Sequence, residues 1–227
     1  MQRRNMILGG FAVLGLGGWA LTSNLAGSSR STELPNLASA ANAQTTTGDV
    51  DTSSITEMVL GNPDAAVTVI EYASFTCPHC ADFHSGAFKQ LKADFIDTGK
   101  IKFIYREVYF DRPGLWASMI ARCGGQEKFF GIAELIYKGQ SNWARAGEPA
   151  AIVNELRKIA RLAGIDNDTI EACLQDAEKA QTLVAWFEEN KNSDDITSTP
   201  SFVINGAKHS NMPYAEMKAL IDTELGS

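Results

Sequence analysis

One stretch restricts what this chain can become more than any other. An apolar run, Ala66-Val67-Thr68-Val69-Ile70-Glu71-Tyr72-Ala73, leads into Ser74-Phe75-Thr76-Cys77-Pro78-His79-Cys80, and helical spacing follows from about Ala81 to Phe95. Strand, Cys-x-x-Cys, then helix is the setting in which such a pair is a redox site. Two cysteines on a helical first turn share a face, and their sulfurs can meet with little backbone movement. Cys77 falls at the helix start, where unpaired N–H groups and the positive end of the dipole favour a thiolate. Thiolate is both the attacking and the leaving species in disulfide exchange. Cys77 is therefore the predicted nucleophile and Cys80 the resolving thiol. Pro78 lacks an N–H, which a first turn tolerates. His79 can donate to the Cys77 sulfur or, when protonated, attract its charge. A stabilised thiolate stabilises the reduced form, which makes the bonded form an oxidant.

The 227 residues allow one domain with a substantial core, or one domain carrying an insertion. A net charge of −7 without a basic cluster argues against nucleic acid as a partner. The cysteines are Cys77, Cys80, Cys123 and Cys173. An even count behind a secretory-looking start suits an oxidising compartment. With the first two committed by proximity, Cys123 and Cys173 remain. In an exported chain a structural disulfide is preferred; free buried thiols or a second redox pair are the alternatives. Such a bond would close a loop of about 50 residues, for at most about 4 kcal/mol. No glycine-rich phosphate loop and no metal-spaced His/Glu set is present, so neither cofactor nor metal is expected.

Residues 1–43 read as a signal peptide or membrane anchor. Arg3 and Arg4 precede the uncharged, apolar run Met6–Leu21, and the adjacent arginines are similar to a twin-arginine export signal. Ala41-Asn42-Ala43 is a small-x-small cleavage site lying far beyond that run. An uncleaved anchor on a polar tether is the alternative. Residues 44–56 are linker, and 57–226 are the folded domain.

Within the domain, Met58–Pro63 predicts a short strand and turn. The strand at 66–73 is nearly all apolar and so belongs in the centre of a sheet. Its one discordant residue, Glu71, is either a buried carboxylate able to relay a proton to or from Cys80, or an edge carboxylate facing water. Ile101–Val108 is the next strand, which with the helix before it makes a βαβ unit with parallel pairing. From about 113 to 192 only helical periodicity appears, at Leu115–Cys123, Gln126–Lys138, Glu148–Ala163, Asp168–Leu174 and Ala177–Asn190, punctuated by glycines. Ser201–Ile204, the Asn205-Gly206 turn and Ala207–His209 form a hairpin. Tyr214–Leu225 closes the chain as a helix. Trp116, Trp143 and Trp186 are expected as core or lip aromatics, and His84, one turn beyond Cys80, as a solvated helix position, with lining the site as the alternative.

Cys77-Pro78-His79-Cys80 after an apolar strand, a helical insertion, and Ser198-Thr199-Pro200 before a final hairpin together resemble the DsbA-like branch of the thioredoxin superfamily, over about residues 56–226. The resemblance implies an α/β, thioredoxin-like fold with an inserted helical subdomain. It implies that Pro200 is a cis-proline facing the Cys77–Cys80 pair, where the residues alone also allow a trans proline. Thr199 would present its backbone as a docking edge for substrate peptide, and Glu71 matches the family's buried acid. The implied activity is that of a protein thiol:disulfide oxidoreductase in the periplasm, or anchored facing it. Its substrates would be reduced folding proteins, and its reoxidising partner a membrane oxidase of DsbB type. Relatives of this fold include isomerases and reductases, so the opposite direction is an alternative. A zinc-binding or adaptor module on Cys77, His79 and Cys80 is a remote one, short of the usual four ligands.

Overall fold

A computed structural model describes residues 50–226. The expected targeting segment and the first residues of the linker, 44–49, lie outside the described residues. β1 (Met58–Gly61), β2 (Val67–Ala73), β3 (Ile101–Glu107), β4 (Ser201–Ile204) and β5 (Ala207–Ser210) form one five-stranded sheet in the order β1-β3-β2-β4-β5. β2 and β3 are parallel, from Val67 opposite Ile101 to Ala73 opposite Glu107; every other pairing is antiparallel. The apolar β2 therefore sits in the middle, as a strand covered on both faces should.

Alternation assigns its two faces. Val67, Val69 and Ala73 join the larger core with Phe103, Tyr105, Phe129 and Phe202. Tyr72 points the other way, packing with Val108, Phe187, Ile196 and Val203 beneath α8 (Ala177–Ser193). Glu71 shares the first face and has no exposed surface.

The helix expected from 81 to 95 is interrupted. α1 (Pro78–Ser85) stops at Gly86, α2 (Ala87–Leu91) restarts, and Lys92–Ile96 is a π-helical turn. Gly86 takes φ −122° and ψ −87°, and its N–H bonds the carbonyls of Asp82 and Phe83. A glycine in a helix interior costs about 1 kcal/mol relative to alanine, which makes it the place to break.

Between β3 and β4 run α3 (Arg112–Cys123), α4 (Gly125–Lys138), the short α5 (Gln140–Trp143), α6 (Pro149–Leu162), α7 (Asn167–Gln175) and α8. Asp111, Asp166 and Asp176 cap α3, α7 and α8 by accepting from backbone N–H groups. Cys123 and Cys173 are bonded to each other, tying the end of α3 to α7. The final helix, α9 (Tyr214–Glu224), buries Met217 and Ile221. Trp116, Trp143 and Trp186 are all buried.

Candidate active site at the start of α1

The chain leaves β2 at Ala73, turns through Ser74, Phe75 and Thr76, and enters α1 with Cys77 as its N-cap and Pro78 in the first turn. The Cys77 N–H bonds the Ser74 carbonyl at 3.1 Å, which fixes the turn. Cys77 is partly exposed, whereas Cys80 has no exposed surface. Both are free thiols.

Their environments push them apart. Cys77 is lowered to about 5, chiefly by a hydrogen bond from the Cys80 thiol, with further help from Thr199 and from the backbone N–H groups of Cys80 and His79; partial burial opposes this. Cys80 is driven far above the ordinary thiol range, first by burial, then by its bond to Cys77 and by the charge of Glu71. Pro78 and His79 are both exposed. The imidazole of His79 makes no hydrogen bond among the described residues. The backbone N–H of His79 helps to lower Cys77, because the first turn aims its N–H groups at the N-cap.

The last hairpin closes the site. The Thr199–Pro200 peptide bond is cis, and Pro200 is buried. The Cys77 Sγ lies 3.5 Å from the Thr199 carbonyl oxygen, to which it donates only when it carries its proton. The start of α1 and the loop before β4 thus meet at one sulfur.

Beneath Cys80 lies a buried polar cluster. Glu71 is sealed on a central strand, which removes the edge alternative. His84 Nε2 lies 2.9 and 3.1 Å from its two carboxylate oxygens. The expectation that His84 is solvated is therefore corrected: it is 9% exposed. The reason is helical periodicity, since residue 84 stands one turn beyond Cys80 and shares its inward face. The His84 ring stacks on Tyr137 at 4.3 Å, and the hydroxyls of Tyr137 and Tyr105 are 2.6 Å apart.

Gln140 was not singled out in the sequence. Its Nε2 donates to the carbonyls of Phe75 at 2.8 Å and Cys77 at 2.9 Å, so α5 holds the redox turn from the side. Only its place after Gly139, at a break in the helical pattern, hinted at it. Cys123 and Cys173 are committed to each other and take no part in the Cys77–Cys80 pair.

A partly exposed thiolate backed by a buried, protonated thiol is an asymmetric device. The first sulfur can exchange with sulfurs from outside; the second can reach only the first.

The profile of the family described as Thioredoxin matches residues 53–223. A putative protein-disulfide oxidoreductase of Rickettsia bellii is 35% identical over 170 residues, which are 74% of this chain and 64% of that protein. The chain thus spans less than two thirds of that relative's length. Among solved structures, Wolbachia pipientis alpha-DsbA1 superposes with a TM-score of 0.69 at 30% identity, covering 75% of this chain and 91% of that one. BdbD from Bacillus subtilis gives 0.67 at 26% identity, covering 75% and 94%. The asymmetric thiol pair, the cis-proline opposite it and these similarities agree: the chain belongs to the DsbA-like branch of the thioredoxin superfamily.

Proposed function

We propose that this chain is an exported thiol:disulfide oxidoreductase that donates its Cys77–Cys80 disulfide to reduced, folding proteins. The observation that carries this reading is the asymmetry of the pair, with Cys77 at about 5 and Cys80 buried far above the ordinary range. A substrate thiolate attacks the Cys77 Sγ, the bond to Cys80 breaks, and a mixed disulfide forms. A second substrate thiol then attacks the substrate sulfur of that bond, and Cys77 leaves as its stable thiolate. A low leaving-group pKa speeds this last step. The Thr199 backbone, beside the Cys77 sulfur, is the edge on which an extended substrate segment would dock. Glu71, sealed below Cys80, takes and returns the proton of the buried thiol.

Reoxidation requires a disulfide donor, and a membrane oxidase of DsbB type in the periplasm is the proposed one. The names carried by the relatives, disulfide oxidoreductase and DsbA, support the chemistry. Operation as a reductase would need a pair that prefers the bonded state. The equilibrium of the Cys77–Cys80 pair with glutathione decides between them. A potential near about −120 mV supports the oxidant, and one near about −270 mV, as in thioredoxin, rejects it.

A further inference from the structure

Every turn of the proposed cycle puts a proton on Cys80 or takes one off, yet Cys80 has no exposed surface. Glu71, its neighbour, is equally sealed. A sealed carboxylate can serve once and must then be refilled. His84 is the residue placed to refill it. Its Nε2 holds both Glu71 oxygens. Its Nδ1 makes no hydrogen bond to the described residues, and among these only Thr199 Oγ1 is a side-chain polar atom both partnerless and closed to solvent. Nδ1 is therefore open. His84 lines a cavity of about 470 Å³ between α1–α2 and α4, together with Ala81, Phe88, Phe130 and Tyr137.

We propose that His84 is the port through which the proton of Cys80 exchanges with solvent in that cavity. The inference rests on the thiol-exchange reading and adds to it a positioning residue that acts through Glu71. When a substrate thiolate attacks the Cys77 Sγ, the Cys77–Cys80 bond breaks and Cys80 keeps the electron pair. Glu71 hands Cys80 a proton received from Nε2, and the ring takes one from solvent at Nδ1. One proton enters at the cavity and one arrives at the buried sulfur. When an external disulfide reoxidises the pair, Cys80 gives its proton to Glu71, Glu71 returns it to Nε2, and Nδ1 releases one to solvent. The ring is thereby reset.

The other titratable groups around His84 do not compete for this role. Tyr137 stacks on the ring at 4.3 Å and Tyr105 stands edge-on at 5.8 Å. Burial, followed by neighbouring negative charge or hydroxyls, holds both phenols well above their ordinary range, so they keep their protons. On the cavity side, Lys89, Lys92, Lys138 and Glu134 line the opening, and Lys92 is paired with Asp97. They bathe the opening in net positive charge without reaching Glu71 in any hydrogen bond among the described residues.

The test uses the full chain with two substitutions. His84→Gln keeps an N–H able to reach Glu71 but has no basic nitrogen. His84→Ala leaves a space that added imidazole can enter from the cavity. Rates are taken in both directions, by reducing the oxidised protein with a dithiol and oxidising the reduced protein with glutathione disulfide. The expected result is a slowing of about tenfold or more in both directions near neutral pH, with the glutathione equilibrium kept within about twofold. Added imidazole restores most of the His84→Ala rate, and buffer acids speed His84→Gln. Wild-type rates in His84→Gln, or rates that respond to neither imidazole nor buffer, overturn the proposal. If His84→Ala fails to fold, the buffer dependence of His84→Gln decides alone. A wild-type potential close to that of thioredoxin would instead sink the oxidant reading, and the two rates would still report on the proton path.

Discussion

Cys77 and Cys80 are neighbours on one helical turn and chemical opposites, and the first tests belong to them. In the reduced protein, thiolate absorbance should fall on acidification with a midpoint near 5. Cys77→Ser should remove that step and abolish exchange, since no leaving sulfur remains; a variant still oxidising a dithiol peptide would refute the assignment. Gln140→Leu strips a donor from two carbonyls at the redox turn. The Cys77 carbonyl keeps the Ala81 N–H, but the buried Phe75 carbonyl loses its donor, which costs about 1–3 kcal/mol, to be read as a lower denaturant midpoint. Cys77, Cys80 and the buried acid were legible because local context sets their chemistry: a helix start for the thiols, an otherwise apolar strand for Glu71. His84 and Gln140 were not. A histidine one turn along an amphipathic helix looks solvated until its inward face is known. A lone glutamine in a short helix carries no periodic signal.

At the scale of elements, the helical block is held by covalent and ionic ties. The bond between Cys123 and Cys173, 50 residues apart, joins α3 to α7. Replacing both by serine should lower stability by about 2–4 kcal/mol in a denaturant titration while leaving exchange at Cys77 intact. A second tie runs from β3 to α3. Arg122 reaches Glu107 with Nε–Oε1 at 2.6 Å and Nη2–Oε2 at 2.7 Å, and Ser118 also donates to Glu107. Both side chains are buried. Arg122→Met should therefore destabilise by about 3–5 kcal/mol, because an uncompensated carboxylate stays behind; Arg122→Met with Glu107→Leu should recover much of that loss. Strand and helix periods carried most element positions. The break at Gly86 and the short α5 were missed because packing, not periodicity, decides where a helix bends. The Glu107–Arg122 pair joins residues from separate elements, and neither residue type in isolation announces it.

For the molecule as a whole, the redox state should couple to stability through pH. A Cys77 thiol lowered to about 5 in the fold stabilises the reduced protein, fully above the ordinary thiol range near about 8.5 and not at all below 5. Cys80 acts in the opposite sense: its raised value favours the fold at low pH and is lost as unfolded Cys80 ionises above about 8.5. The denaturant resistance of the reduced protein, relative to the oxidised, should thus climb from pH 5 toward about 8.5 and then level or fall. A pH-independent difference would contradict the assigned thiolate. The βαβ unit, helical block and closing hairpin could be read from the chain. The central place of β2 could also be read, from its apolar run; the rest of the sheet order could not, since only long-range pairing places β1 beyond β3. The grip of Gln140 on the carbonyls of Phe75 and Cys77 has a further outcome. Warming that first loosens α5 would unseat the nucleophile while the strands still hold, so inactivation on a heating ramp should run ahead of the sheet's own melting.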